Sequence, residues 1–164
     1  MEIVSVKQEY TDFLHTCDKR VSKNIDKTYL RPYLGALLVV GELKYFAPLT
    51  SKSKGKKLTQ SPKKESITFY PIADCTLGGI NLNNMIPLVE GVYEKYSLVK
   101  NLNKKQRIFH EKQVIELRKN EKHIISKAIK IYKLKTSNKL FPNYDAVTCD
   151  FKKLEQHAKM FNIR

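Results

Sequence analysis

Side chains that could act on a phosphodiester flank two neighbouring apolar runs of the sequence. They are a phenol, a guanidinium, two hydroxyls and two amines: Tyr29, Arg31, Thr50, Ser51, Lys52 and Lys54. Metal-free RNA cleavage needs an aligned ribose 2′-OH, cationic donors for the phosphate oxygens and an acid for the departing 5′-oxygen. Arg31 offers a planar, permanently charged fork for two phosphate oxygens. The residue types therefore fit a ribonuclease site, although they also fit turn formation and strand anchoring.

The two apolar runs that would position these side chains are 33–40 and 43–49. The two-residue connection between them predicts a β-hairpin in a buried antiparallel sheet. Pairing across this turn brings the start of the first strand beside the end of the second. Arg31 and Thr50 should then lie at one end of the sheet. Pro48 predicts an edge or exit position for the end of the second strand.

The remaining pattern predicts a single α+β domain over residues 1–164, with antiparallel strands and with helices gathered at both ends. Alternation and apolar runs predict strands at 2–6, 66–72, 77–82, 85–89 and 146–151. Helical periodicity predicts helices at 7–18, 152–161 and, as an adjacent pair, across about 103–136. Residues 138–144 are predicted to form a loop.

A lysine-rich segment without acidic residues follows the second strand. Seven lysines and no Asp or Glu lie between Glu42 and Glu65, and small polar residues fill the gaps. This composition predicts a basic loop over residues 50–65 that follows a phosphate backbone. Besides the lysines already named, the candidate RNA contacts here are Lys44, Lys56, Lys57, Lys63 and Lys64.

The overall charge narrows the class of partner. The 31 Lys and Arg residues exceed the 16 Asp and Glu residues and give a formal net charge of +15, which favours nucleic acid. We expect no membrane partner, because no apolar run is long enough to span a bilayer. Three widely spaced cysteines favour a reducing, cytoplasmic setting. Scattered histidines and carboxylates give no metal-site pattern, so we expect no metal and no cofactor.

Several ordered motifs resemble the ToxN/AbiQ family, the endoribonuclease toxins of type III toxin–antitoxin systems. The first is the stretch RPYLGALLVVGELKYFAPLTSKSK at 31–54, with its basic residue, its two strands and its Thr-Ser followed by a lysine. The second is GINLNNMIP at 79–87, and the third is the helical region 113–132. The resemblance spans roughly residues 25–155.

The resemblance implies a compact, strongly twisted antiparallel sheet similar to that of MazF/Kid-like toxins, with surrounding helices. It implies sequence-selective, metal-independent cleavage of cellular RNA that leaves 2′,3′-cyclic phosphate and 5′-OH ends. It also implies processing of a repetitive antitoxin RNA into pseudoknots, which then inhibit the toxin in a closed protein–RNA assembly, and phage defence by abortive infection. The family's active site falls on the six residues named first, with either Lys52 or Lys54 in the lysine position. The other matched motifs add Asn81, Asn83 and Arg118 as RNA-binding candidates.

Two other classes of function fit the charge. A non-catalytic RNA-binding module would use the basic loop only to follow phosphates, and its RNA would stay intact. A basic DNA-binding structural protein would bind duplex DNA in competition with single-stranded RNA, whereas an enzyme that depends on the 2′-OH would not act on DNA.

The acid-free lysine segment predicts a strong salt dependence of RNA binding. A footprint of ~6–10 phosphates should lose ~10³–10⁵ in affinity between about 50 and 200 mM salt, because binding releases condensed counterions. Fluorescence anisotropy with labelled RNA across a salt series measures this loss. A flat response would remove the basic loop from the recognition site.

Overall fold

A long β-hairpin forms the centre of the fold. The computed structural model describes residues 1–24, 30–50, 66–96 and 103–161. The strands are β1 (Glu2–Val6), β2 (Pro32–Val40), β3 (Leu43–Thr50), β4 (Phe69–Pro71), β5 (Gly79–Asn81), β6 (Ile86–Leu88) and β7 (Tyr93–Lys95). The helices are α1 (Gln8–Cys17), α2 (Lys104–Lys119), α3 (Glu121–Thr136), α4 (Pro142–Val147) and α5 (Phe151–Ala158), with a 3-10 turn at Leu82–Asn84.

All strand pairs in the described sheet are antiparallel. The strand order is β4-β5-β3-β2-β1-β7, and β6 also pairs with β3. The predicted hairpin of β2 and β3 is confirmed, and Gly41 turns it with a φ of +59°, in the left-handed region that glycine adopts without steric cost. The α+β class and the antiparallel sheet are likewise confirmed.

Of the two positions predicted for Pro48, the edge is wrong, because β3 is an inner strand, whereas Pro48 does lie at the exit, two residues before the end of β3. β3 has β2 on one side, while on its other side β6 pairs with 44–46 and β5 pairs with 49–50. Pro48 lies between these two stretches. The neighbouring strand on that side changes there, and the ladder is already interrupted.

The helices cover the sheet through apolar faces. Helix α3 packs against β2, and α5 packs against both β6 and α1. The buried side chains of α3 are Ile124, Ala128 and Ile131, at the spacing of one helical face. None of the described helices has the length and apolarity needed to cross a bilayer.

The strand predicted at 146–151 is absent. Residues 142–147 form α4 instead, and the predicted loop at 138–144 therefore ends in a helix. Pro142 at the first helical position presets a helical φ, and the Phe141 carbonyl accepts hydrogen bonds from the next turn. The following residues bond elsewhere: the Cys149 N–H donates to the Asn83 carbonyl at 2.9 Å.

A buried carboxylate joins α1 to α5. Asp18, which is 6% exposed, accepts hydrogen bonds from the guanidinium of Arg20 at 2.8 and 2.9 Å and from the Asp150 N–H at 2.7 Å. Burial raises the pKa of Asp18, but these hydrogen bonds outweigh it and hold the pKa below its ordinary value. Asp18 follows the last residue of α1, and Asp150 is the N-cap of α5. The ionised Asp18 carboxylate therefore ties the end of α1 to the start of α5.

We predict that Asp18→Asn lowers the free energy of unfolding by about 2–4 kcal/mol at neutral pH, because the amide cannot accept all of these bonds. A depressed folded-state pKa stabilises the protein above the unfolded value, about 3.9, and this contribution is lost as pH falls through the folded pKa. The difference between variant and wild type should therefore shrink below about pH 4. Urea unfolding at pH 7 and pH 3 measures it.

Asp12→Asn is the matched control, because Asp12 lies on the same helix and forms no salt bridge within the described residues. It should change stability by less than about 0.5 kcal/mol. An equal penalty for Asp18→Asn at both pH values would contradict the assigned charge state.

Candidate active site

The end of the central hairpin brings Arg31 and Thr50 to one end of the sheet. Tyr33 of β2 pairs with Pro48 of β3, so the chain just before β2 lies beside the last residues of β3. Thr50 is the last residue of β3, and Arg31 directly precedes β2. We call this end of the sheet the strand exit, defined by Arg31 and Thr50.

Asn24 fixes the backbone at Arg31. Its side-chain oxygen accepts a hydrogen bond from the Arg31 N–H at 2.8 Å, and its amide donates to the Val6 carbonyl at 3.4 Å. The Arg31 guanidinium makes one long contact, from Nε to the Lys23 carbonyl at 3.4 Å, and forms no salt bridge within the described residues. Its donors can therefore serve an anion, which is the chemistry that the sequence suggested.

Thr50 is buried at the junction of β3 with β5. It is 4% exposed and pairs with Gly79. A Cβ on Gly79 would overlap the Phe69 ring and approach the Tyr70 carbonyl at 2.9 Å. Only glycine therefore allows β4 and β5 to pack this closely beside Thr50.

A lysine that the sequence analysis did not single out lies two strands from β3. Lys127 on α3 donates to the carbonyls of Ser66 and Phe69 at 2.9 and 3.3 Å, and its ammonium lies 5.7 Å from the centre of the Tyr70 ring. Tyr70 pairs with Ile80, which in turn pairs with Leu49 next to Thr50. Lys127 thus brings positive charge to this side of the sheet. Lys127 belongs to the helical region 113–132 that resembles the family, but the sequence analysis assigned it no role in the site.

The other RNA-binding candidates among the described residues lie in different parts of the fold. Asn81 lies in β5, two residues from Gly79, the partner of Thr50. Asn83 uses its amide to donate to the Val147 carbonyl at 2.9 Å, which is a structural contact with the end of α4. Lys44 pairs with Glu90 at 2.7 Å, six residues before Thr50 and thus about 20 Å away along β3. Arg118 lies on α2 at a cavity near the N-terminus.

The remaining predicted site residues lie outside the described residues. They are Tyr29, Ser51, Lys52, Lys54, Lys56, Lys57, Lys63 and Lys64. Residues 51–65 of the predicted basic loop 50–65 also lie outside the described residues, whereas Thr50 belongs to β3. The roles of these residues stay predictions.

Cysteine-based catalysis needs a reactive thiol, and metal-based catalysis needs a cluster of metal ligands. The three cysteines are free, and burial raises the pKa of the Cys149 thiol to about 12, so this thiol stays protonated at neutral pH. Among the residues that the structure describes, no three or more His, Cys, Asp or Glu side chains are grouped to hold a metal ion.

Comparison with known proteins identifies the family. The family model of toxin ToxN, from type III toxin–antitoxin systems, matches residues 2–159. This chain belongs to the ToxN family. The match takes in every described strand and helix and both residues that define the strand exit, so the ToxN resemblance seen in the motifs holds over the whole fold.

Individual ToxN relatives agree over nearly the full chain. Endoribonuclease ToxN of Pectobacterium atrosepticum is 29% identical, with 98% of this chain and 94% of that protein covered. Endoribonuclease ToxN of Bacillus thuringiensis subsp. kurstaki is 28% identical, with 98% and 84% covered.

Solved structures show the same fold. AbiQ, a lactococcal anti-phage endoribonuclease of the type III class, superposes with a TM-score of 0.82 at 25% identity, with 97% of this chain and 96% of AbiQ covered. A toxin structure from work on selective toxin inhibition by a non-coding RNA pseudoknot superposes with a TM-score of 0.82 at 26% identity, with 99% and 98% covered.

We predict that Asn24→Ala lowers the free energy of unfolding by about 1–3 kcal/mol, because the Arg31 N–H loses its acceptor. Urea unfolding measures the change. Asn143→Ala is the matched control, since Asn143 is exposed on α4 and should change stability by less than about 0.5 kcal/mol. Equal stability of both variants would show that Asn24 does not hold the strand exit.

Proposed function

We propose that this protein is an endoribonuclease toxin that an antitoxin RNA holds inactive. Three observations support this proposal. The chain belongs to the ToxN family, its relatives in two bacteria are endoribonucleases, and a toxin of the same fold is selectively inhibited by an RNA pseudoknot. The net charge of +15 favours an RNA partner for both substrate and inhibitor.

The observation that carries the proposal is the convergence of Arg31 and Thr50 at the strand exit. The Tyr33–Pro48 pairing holds these two residues at one end of the central hairpin. Thr50 is followed in sequence by Ser51, Lys52 and Lys54. The proposed active site therefore combines the guanidinium of Arg31 and the hydroxyl of Thr50 with the hydroxyl and amines of the residues that follow Thr50 in sequence.

The proposed reaction is attack of the ribose 2′-OH on the neighbouring phosphorus. The 2′-oxygen forms a bond to phosphorus as it loses its proton, the bond to the 5′-oxygen breaks, and that oxygen takes up a proton. The products carry a 2′,3′-cyclic phosphate and a 5′-OH. We assign the phosphate oxygens to Arg31 and to one lysine of the 52/54 pair, which act where charge develops.

The hydroxyls and the phenol have positioning roles in this proposal. Thr50 and Ser51 orient the 2′-OH and donate to the phosphate, and Tyr29 positions the RNA. An arginine guanidinium is permanently charged and is not a proton carrier, so proton transfer falls to a lysine, to a hydroxyl, to Tyr29 or to substrate geometry alone. The proposal requires no metal ion and no cofactor, and cleavage in EDTA tests this directly.

We further propose that the protein works in the cytoplasm, where it cleaves cellular RNA and processes its own antitoxin transcript. The processed repeats form pseudoknots that inhibit the toxin in a closed protein–RNA assembly. The relationship to AbiQ, an anti-phage endoribonuclease, supports a role in phage defence by abortive infection. The free cysteines are consistent with a reducing compartment.

We predict that Ser51→Ala and Arg31→Ala each lower the cleavage rate by roughly 10²–10³, because each removes a donor aimed at the reacting phosphate. Thr50→Val should do the same, whereas Thr50→Ser keeps the hydroxyl and most of the activity. The measurement is single-turnover cleavage of RNA in EDTA, with direct kinase labelling of the new 5′-OH ends. Ser51→Ala should also fail to arrest growth when it is expressed without antitoxin.

Ser53→Ala is the matched control, because Ser53 lies in the same segment and has no assigned role. It should cleave at the wild-type rate. Wild-type rates for Arg31→Ala, Thr50→Val and Ser51→Ala together would place the active site elsewhere. RNA that binds and stays intact would identify a non-catalytic binding module.

A further inference from the structure

A cavity of about 840 Å³ opens between the N-terminus, the end of β7 and one face of α2. Its apolar walls include Ile3, Tyr96 and Val114. β7 lies three strands from β3, because Lys95 pairs with Val4, Val4 pairs with Tyr33, and Tyr33 pairs with Pro48. Across the sheet the cavity is therefore about 14 Å from the strand of Thr50 and about 10 Å from the strand that Arg31 precedes. Neither Arg31 nor Thr50 lines the cavity, so it is a separate site.

Charged side chains surround this apolar cavity. Lys95, Arg107 and Arg118 line it together with the carboxylates of Glu2 and Glu111. Lys95 and Arg118 are exposed and form no salt bridge within the described residues. Cations at the rim can bind phosphates, while the carboxylates can accept hydrogen bonds from amino groups of a base.

The surrounding surface is also basic. The segment 103–136, which contains α2 and α3, has eleven Lys and Arg residues against three Glu residues. It is about a fifth of the chain and carries more than half of the net charge of +15. A polyanion is thus attracted to the helices that form the wall of the cavity.

Hydrogen bonds hold one wall of the cavity in place. The His110 ring meets the edge of Tyr96 at a centroid distance of 4.7 Å, and its Nδ1 lies 2.7 Å from the side-chain oxygen of Gln113. Gln113, which is 1% exposed, donates its amide to the Leu77 carbonyl at 2.7 Å. Its oxygen must then accept from His110, so Nδ1 carries the hydrogen.

The His110 side chain is therefore a neutral acceptor in this wall. Burial lowers the pKa of His110, so the ring is uncharged at neutral pH. With the hydrogen on Nδ1, Nε2 has a free lone pair. A largely apolar space with acceptors in its wall and exposed cations around it matches the chemistry of a nucleotide.

We propose that this cavity binds one unstacked nucleobase of the RNA, and that Arg107 and Arg118 contact the adjoining phosphates. The proposal rests on the proposed function only in taking RNA as the partner, and it is independent of the cleavage chemistry. A volume of 840 Å³ lies within the range of small-molecule sites, about 300–1,000 Å³, and accommodates a base with its ribose. The cavity thus adds a recognition subsite away from the strand exit.

Photo-crosslinking tests where the base lies. The probe is a single-stranded RNA of ~12 nucleotides, within the usual range of site sizes, with 4-thiouridine in place of uridine and 2′-O-methyl groups throughout. Mass spectrometry of the wild-type protein should find crosslinks on peptides that contain Tyr96 or residues 107–118. Crosslinks confined to other peptides would overturn the proposal.

A matched pair of variants on α2 tests the cation. Arg118→Ala should weaken binding of the same probe at least fivefold and reduce the slope of log affinity against log salt by about 0.7–1. Lys112→Ala removes an exposed charge outside the cavity lining and should change affinity less than twofold. Equal effects of the two variants would overturn the proposal.

An abasic probe tests the base itself. Removing all bases from the probe while keeping its phosphates should lower affinity for the wild type, because the cavity then has no base to bind. Undiminished affinity of the abasic probe would show phosphate binding alone and overturn the proposal. Cleavage of unmodified RNA is assayed in parallel. Cleavage without base binding in the cavity would overturn the cavity proposal alone, whereas RNA that binds but stays intact would overturn the proposed function alone.

Discussion

The pairing of β3 with three other strands is the constraint on which the rest of the structure depends. β2 lies along one side of β3, and on the other side β6 pairs with its first half and β5 with its end. Because antiparallel register sets which residues lie opposite each other, this arrangement places Arg31, Gly79 and Thr50 around one end of the sheet. A one-residue slip would move every side chain of β3 to the opposite face of the sheet and disrupt the packing of its buried residues. The strand exit therefore depends on the same register as the core.

A second buried carboxylate ties the helices to this strand. Glu155 on α5 accepts hydrogen bonds from the hydroxyls of Tyr45 on β3 at 3.0 Å and Tyr132 on α3 at 2.6 Å. Burial and the nearby carboxylate raise the pKa of Tyr45, so its hydroxyl stays a donor at neutral pH. The Tyr45 and Tyr132 rings also pack edge to face at 5.4 Å. β3, α3 and α5 are thus joined by both polar and apolar contacts.

The positive charge has different roles in different places. Lys44 is neutralised by Glu90, and Lys127 is turned towards backbone carbonyls of the β4 region. Arg31 and Arg118 form no salt bridge within the described residues and lie at two separate sites, the strand exit and the α2 cavity. A total charge of +15 favours RNA in general, whereas our proposals place phosphate contacts at these two guanidinium groups in particular. The two sites together are suited to an extended RNA rather than to a single phosphate.

The sequence by itself determined the elements that have a strong local pattern. Helix α1, the helices of region 103–136 and the hairpin of β2 and β3 follow from apolar periodicity and a short turn, which act between near neighbours. The turn also brought the start of β2 towards the end of β3, but the tertiary structure set the final register: the pairing shifts by two residues between Leu38–Tyr45 and Leu34–Ala47, and this shift places Tyr33 opposite Pro48. Tertiary structure alone decided the rest. β7 has three residues and is held by its pairing with β1. Pro48 lies in an inner strand because β5 and β6 both pair with β3. The Lys44–Glu90 ion pair and the α2 cavity join residues distant in sequence, and such contacts leave no local pattern because folding alone brings them together.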